Sequence, residues 1–385
     1  AKMSDYVEEK RLKENINPDI NANTPKPAIN LVSKVPLKQS EPENGCNKVS
    51  VGQHSYKSVE ATNHIDMLND DTLLHVFSLL PRKTICRCLQ VCKRWSGVAE
   101  HPSLWRTVNL SHKSVSLKLV LKLIRRQVVT MKLSSAEIVE NAREICFFKT
   151  ISHNLQLLDL SMSTISVHAL DSILKSTISL RKLSLENCEV DLETLTLISK
   201  NRQLDTLNMS MCSGVKGCGL SEIFNGCRRL QNLNISWTGL TEECIDIMCD
   251  SLPARITRWN LSGCRNSLKD KHIAIIVSRC RDLMELDISD SFKVSLEGIL
   301  MLRNLPNLTR LCISRCYLLA KEKLEQLPPV KYLLAFDILS KESSEFLEKK
   351  YPSIQINKQY FSTVARPTVG IRRTSIWTVS VRDND

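Results

Sequence analysis

A chain of 385 residues, 42% of them hydrophobic and with a formal net charge of +12, exceeds one ordinary globular core and suits a small module joined to an extended array. No apolar run is long enough to cross a bilayer as a helix, so no membrane partner is expected. The basic excess favours acidic or phosphorylated protein partners, or a weak and unspecific attraction to nucleic acid, with a generally solvated basic surface as the plain alternative.

Residues 1–62 are rich in Asn, Pro, Lys, Ser and Glu, with little apolar periodicity, and are expected to be disordered. They do not carry the charge excess, because residues 1–63 hold nine Lys/Arg against eight Asp/Glu. From the Ala-Lys-Met start a fragment or a processed product is expected.

Residues 63–107 change character. Leu73, Val76, Phe77 and Leu80 stand at helical spacing, with Asp70 and Asp71 in the first turn and Pro81 ending that helix or opening the next. A second helix is expected to place Ile85, Cys88, Leu89 and Cys92 on one stripe. V-C-K-R-W (Val91 to Trp95) and S-L-W (Ser103 to Trp105) follow. A unit this small cannot bury all of these groups, so two apolar faces are expected, one packing on the first repeat and the other awaiting a partner helix. M-L-N-D-D-T-L-L-H-V-F-S-L-L, V-C-K-R-W and S-L-W together resemble the F-box. Many F-boxes have Leu-Pro where this chain has Leu68-Asn69; Asn69 can act as an N-cap instead. The resemblance implies docking onto a Skp-type adaptor and, through it, onto cullin and RING subunits. The expected contacts are Leu68, Leu73, Phe77, Leu80, Ile85, Val91, Trp95 and Trp105. An interface of standard size would bury about 1,600 Å².

Residues 108–359 repeat L-x-x-L-x-L-x-x-C. The pattern is plainest from Leu180 to Cys188, Leu204 to Cys212 and Leu308 to Cys316. Softer copies start at Leu155, Leu230, Ile256 and Leu283, and degenerate ones near Trp105, Val128, Val330 and Tyr351, at intervals of 21 to 27 residues. Such a period reads as a leucine-rich repeat solenoid of strands and return helices, an α/β fold in which each copy needs its neighbours to bury its apolar side. Thr241 and Ser295 are placed to cap return helices. Lys113 to Arg126 reads as a basic helix face over an apolar one. The chain resembles the cysteine-containing repeat subtype, with Cys188, Cys212, Cys264 and Cys316 expected inside and bonded to backbone. These periodic positions argue against a disulfide framework for the fifteen cysteines, and no signal peptide is visible. N-x-S triplets at Asn109, Asn208, Asn234 and Asn260 follow from the strand pattern, and burial should keep them unglycosylated.

Residues 360–385 lose the period and are expected to cap the array or fold back along its inner face. The residue two after each strand's last apolar position forms a rim column of Asn187, Met211, Trp237, Gly263, Asp290 and Arg315. Its middle presents aromatic and charged groups the fold does not itself need. An F-box running into such repeats and an A-R-P-T-V-G tail is similar to the F-box/leucine-rich-repeat substrate receptors of the cell cycle, nuclear and cytoplasmic proteins. That resemblance implies a Cks-type cyclin-kinase subunit and a phosphorylated cyclin-dependent kinase inhibitor as partners. It assigns them to Trp237, Arg265, Asp290, Arg315, Tyr317, Phe336, Tyr360 and Phe361.

No cofactor is expected. Zinc at Cys86, Cys88 and Cys92 is rejected, since Cys86 is off the helix face shared by the other two and no histidine pair follows. His64, His75, His101 and His112 read as surface or cap residues. A cysteine-thioester ligase would need on the order of a hundred residues outside the array, and no Cys, His and acid grouping stands out. A plain scaffold is the remaining alternative, and the F-box argues against it.

Overall fold

The computed structural model describes residues 64–140, 152–319, 326–359, 362–368 and 375–381. The expected disordered segment 1–62 lies outside them, as do Tyr360 and Phe361. All of the described residues belong to one unit, Thr62–Asp385.

It begins with three short helices, α1 (Asp70–Leu79), α2 (Arg82–Cys88) and α3 (Lys93–Ala99). Asn69 is extended and its Oδ1 accepts the Thr72 N–H at 2.8 Å, satisfying one orphan donor of α1 while Asp70 and Asp71 face the positive helix end. Cys92 is not part of the α2 stripe. The chain extends there, and its Sγ accepts the Trp95 N–H to open α3, so the expected stripe ends at Leu89. Leu73, Phe77, Ile85, Cys88, Val98, Ala99, Leu104 and Trp105 close a core of their own.

The repeats form one parallel sheet of eleven strands. They are β1 (Thr107–Asn109), β2 (Thr130–Lys132), β3 (Leu157–Asp159), β4 (Lys182–Ser184), β5 (Thr206–Asn208), β6 (Asn232–Asn234), β7 (Arg258–Asn260), β8 (Glu285–Asp287), β9 (Arg310–Cys312), β10 (Tyr332–Leu334) and β11 (Gln355–Ile356). Register stacks Val108, Met131, Leu158, Leu183, Leu207, Leu233, Trp259, Leu286, Leu311 and Leu333 in one buried row, each three residues after a repeat start. The last copy differs: Leu333 pairs with Ile356, two residues later than the spacing from Tyr351 predicts. Tyr351 instead ends the preceding helix, Lys341–Lys350, which delays the strand.

Each of the first ten copies leaves its strand through one residue of positive φ. These are His112, Ser135, Met162, Asn187, Met211, Trp237, Gly263, Asp290, Arg315 and Asp337, with φ from 55° to 83°. A left-handed non-glycine residue costs roughly 1–2 kcal/mol. The turn is held because its N–H reaches the next copy, as in Asn187 to Ser210 O (2.9 Å), Trp237 to Ser262 O (2.9 Å) and Asp290 to Ser314 O (2.8 Å).

The side chains ending the strands hold the same turn. Oδ1 of Asn208, Asn234 and Asn260 accepts the N–H two residues on at 3.1, 3.1 and 2.9 Å, which explains the Asn-x-Ser triplets. All three asparagines are buried. Inside the turn, Sγ of Cys188, Cys212 and Cys316 donates to the preceding copy's Leu160, Leu185 and Ile288 carbonyls at 3.4, 3.0 and 3.3 Å. Cys264 is buried alongside without such a bond among the described residues. Thr241 and Ser295 cap their helices as the spacing predicts.

The helical module is tied to the first repeat through Trp105. Its Nε1–H donates to Ala99 O at 2.8 Å, and its ring lies between the Arg82 and Arg126 guanidinium groups at 5.5 and 5.9 Å. Arg82 also donates to Thr107 Oγ1, and Arg126 pairs with Glu100 at 2.7 Å.

Candidate functional site

The helical module seals half of the eight apolar side chains expected to grip an adaptor inside its own core. Leu73, Phe77 and Ile85 are 0, 1 and 3% exposed, and Trp105 is the buried joint to the repeats. Their assignment as contact residues is therefore corrected: a side chain sealed in its own core offers no surface to another chain. Sequence periodicity could not separate the two faces because so small a core draws from the same stripe. Leu68, Leu80 and Trp95 are half-buried, with Trp95 set edge-on to Phe77 at 5.3 Å. Val91 is 60% exposed. Sequence reasoning missed the groups that stand out beside it, Met67, Leu79 and Val76, at 76, 68 and 40% exposure. Arg94 fixes the segment bearing Met67 and Leu68, reaching Asp70 Oδ1 at 2.8 Å, Asp66 O at 3.3 Å and Leu68 O.

On the rim, Trp237 lies under the Arg265 guanidinium at 5.5 Å. Gly263 is needed beneath it, because a Cβ there would sit 2.6 Å from Trp237 Cδ2. Arg315 grips Asp290 bidentately, Nε to Oδ1 at 2.6 Å and Nη2 to Oδ2 at 2.5 Å, so Asp290 is buried and these two charges answer each other. Tyr317, 59% exposed, stacks on Phe292 at 5.6 Å. Phe336 is half-buried, and its N–H donates to Ser314 Oγ. Of the expected partner-binding residues that the structure describes, Trp237, Arg265 and Tyr317 are thus the ones offered to solvent.

The tail runs back over the helix-free face of the sheet. Gln359 Oε1 accepts from Arg310 Nη1 beside β9 at 2.9 Å, and Val364 O accepts from Asn234 Nδ2 on β6 at 3.1 Å. Arg366 meets Glu186, just past β4, at 3.5 Å. A hairpin of β12 (Ser375–Ile376) and β13 (Val379–Ser380) brings Trp377 and Val379 over the leading ends of β1 to β4. Under this cover the carboxyls of the open strand face are desolvated. Burial raises Asp159 above the usual carboxylate range and pushes Asp287 up to about 6.

Two family profiles match the chain, one described as "F-box-like" over residues 70–111 and one as "SKP2 LRR domain" over residues 118–384. The chain belongs to the SKP2 leucine-rich-repeat family. Among curated relatives, mouse F-box/LRR-repeat protein 21 is 27% identical over 200 residues, covering 45% of this chain and 46% of that protein. Mouse lysine-specific demethylase 2B is 22% identical over 279 residues, covering 68% of this chain and 19% of that one. The chain therefore spans less than half the length of either relative. The solved leucine-rich repeat-containing protein LegL7 from Legionella pneumophila is 15% identical at a TM-score of 0.37, covering 64% of this chain and 81% of that one.

Cys88 is buried and Cys92 caps α3, whereas Glu242, Asp246 and His272 converge on the helices Glu242–Asp250 and Asp270–Arg279. Both ring nitrogens of that histidine are occupied. Nδ1 accepts the Lys269 N–H at 2.9 Å, so Nε2–H donates to Asp246 at 2.9 Å. Lys269 and Lys271 already neutralise Glu242 and Asp246 at 2.6 and 2.7 Å. Desolvation lowers the His272 pKa, keeping it neutral, and the group is a structural clasp between two return helices.

Proposed function

We propose that this chain is the substrate-recognition subunit of an SCF-type, cullin–RING ubiquitin ligase and performs no chemistry of its own. The carrying observation is the set of exposed apolar side chains, Met67, Val76, Leu79 and Val91, on a module whose own core is complete. Apolar groups left outside a closed core are what a partner helix covers. The F-box face takes a Skp-type adaptor and, through it, cullin and RING subunits. The late rim of Trp237, Arg265 and Tyr317, with the tail, takes a Cks-type subunit and a phosphorylated protein such as a cyclin-dependent kinase inhibitor. Catalysis then follows from raised effective concentration and orientation beside a charged ubiquitin-conjugating enzyme. The expected outcome is degradation of the captured protein and progress through the cell cycle, in nucleus and cytoplasm.

The test is co-purification with a Skp-type adaptor. Leu79→Asp and Val91→Asp should abolish adaptor capture while leaving the urea midpoint nearly unchanged, since exposed substitutions shift stability by about 0.5 kcal/mol or less. Adaptor binding that survives both changes would refute the assignment of this face. A thiol-sensitive ubiquitin adduct on the purified chain would refute the non-catalytic role.

A further inference from the structure

The tail hairpin does more than cover strands. Between it and the leading ends of β1 to β4 lies a cavity of about 320 Å³. Arg106, Arg181 and Lys182 line it from the strand side, and Trp377 and Val379 from the tail. Three cations are thus set around one hollow. A single carboxylate, Asp205, serves two of them, at 3.7 Å from Arg181 and 3.3 Å from Lys182. Arg106 is exposed, and among the described residues its guanidinium meets no carboxylate. The Trp377 side chain closes the tail side of the same hollow.

We propose that this cavity is a phosphomonoester site for a phosphorylated segment of a bound protein, separate from the Trp237 rim. Two planar guanidinium groups and an ammonium match the three terminal oxygens of a phosphomonoester, and arginine suits such an anion by presenting paired donors. The Trp377 ring walls the opposite side, where it can report binding. The distance along the sheet makes the site a second anchor. The rim groups stand beyond β6, β7 and β9, while the cavity spans β1 to β4. A long captured chain held at both ends gains through effective concentration. This inference deepens the substrate-capture reading and rests on it, yet phosphate binding is measured without adaptor, ubiquitin or Cks-type subunit, so the two can fail separately.

The full chain is titrated with the peptide Gly-phosphoserine-Gly, with Gly-Ser-Gly and with inorganic phosphate, followed by indole emission and by ³¹P line broadening for the phosphorylated probes. The phosphopeptide should saturate, and Gly-Ser-Gly should produce no change. Arg106→Ala and Arg181→Ala should each weaken binding at least tenfold. Arg106→Lys should recover part of it, because charge returns without the planar fork. Trp377→Phe should remove the emission change, and Trp237→Ala should alter nothing. Both arginines are exposed, and circular dichroism melts confirm that the variants fold. No saturation, or saturation indifferent to both arginines, overturns the site. Inorganic phosphate binding more tightly than the phosphopeptide overturns its assignment to a peptide.

Discussion

Asp287 ends β8 at the place where Asn208, Asn234 and Asn260 end theirs, and its Oδ1 accepts the Ser289 N–H at 3.0 Å as theirs accept the matching donor. Asparagine makes that bond without a charge. Burial pushes the Asp287 carboxyl up to about 6, with the Ser289 bonds opposing and Asp290 reinforcing the shift. The folded chain therefore holds this proton more tightly than the unfolded chain, whose carboxyl titrates near 3.9. The contribution of this group to stability is fully present below about pH 4, falls as pH rises towards 6, and is lost above it. Two pKa units at 1.36 kcal/mol each make the ionised group cost about 3 kcal/mol at pH 7.5 and about half of that at pH 5. Asp287→Asn should remove the cost and keep the turn. Urea unfolding of wild type and variant at pH 7.5, 5 and 4 measures it. The variant should be more stable by about 2–3 kcal/mol at pH 7.5, with the gain vanishing near pH 4. A gain of equal size at all three pH values, or a loss at pH 7.5, would refute the reasoning.

Native alkylation by iodoacetamide, read by peptide mass spectrometry, should mark Cys86, Cys92 and Cys218, which are exposed. It should spare Cys188, whose thiol burial pushes up to about 11, and Cys227, Cys264, Cys280 and Cys316, pushed to about 12. Trp105→Ala should lose about 3–5 kcal/mol and uncouple F-box unfolding from that of the repeats, seen as two urea transitions where wild type has one. Trp105→Phe should keep a single transition. Gly263→Ala forces a Cβ against Trp237 at a φ of +83°, and should cost about 1–2 kcal/mol and shift the emission of that indole. Unchanged emission would show that the ring does not rest there.

The repeat spacing carried most of the fold because one number, three residues from start to inward leucine, recurs and sets the ladder register from Val108 to Leu333. It failed at β11, where a helix running to Lys350 competes for the same residues. The sequence also marked the rim column, but not that its members share left-handed backbone: Trp237, Asp290 and Arg315 give no glycine-like signal. On the F-box the apolar pattern identified the module and misassigned its faces. Phe77 and Val76 are neighbours of similar character, yet one is sealed and the other exposed. Only the crossing of three short helices decides between them. The cavity was illegible for a related reason, since it joins four strand ends to a tail without periodicity, and sequence distance between Arg106 and Trp377 says nothing of their meeting.

The left-handed turn gives the array a position whose occupant is chosen by no packing neighbour at most copies. Its backbone is fixed by the N–H passed to the following copy, and at Asn187, Met211 and Trp237 the side chain stands in solvent. One address per copy can thus be rewritten without disturbing the leucines beneath. Exchanging the exposed members of this column, such as Asn187 and Met211, should change what the rim recognises while the melting behaviour of the scaffold stays the same, which makes these positions the natural place to re-target the molecule.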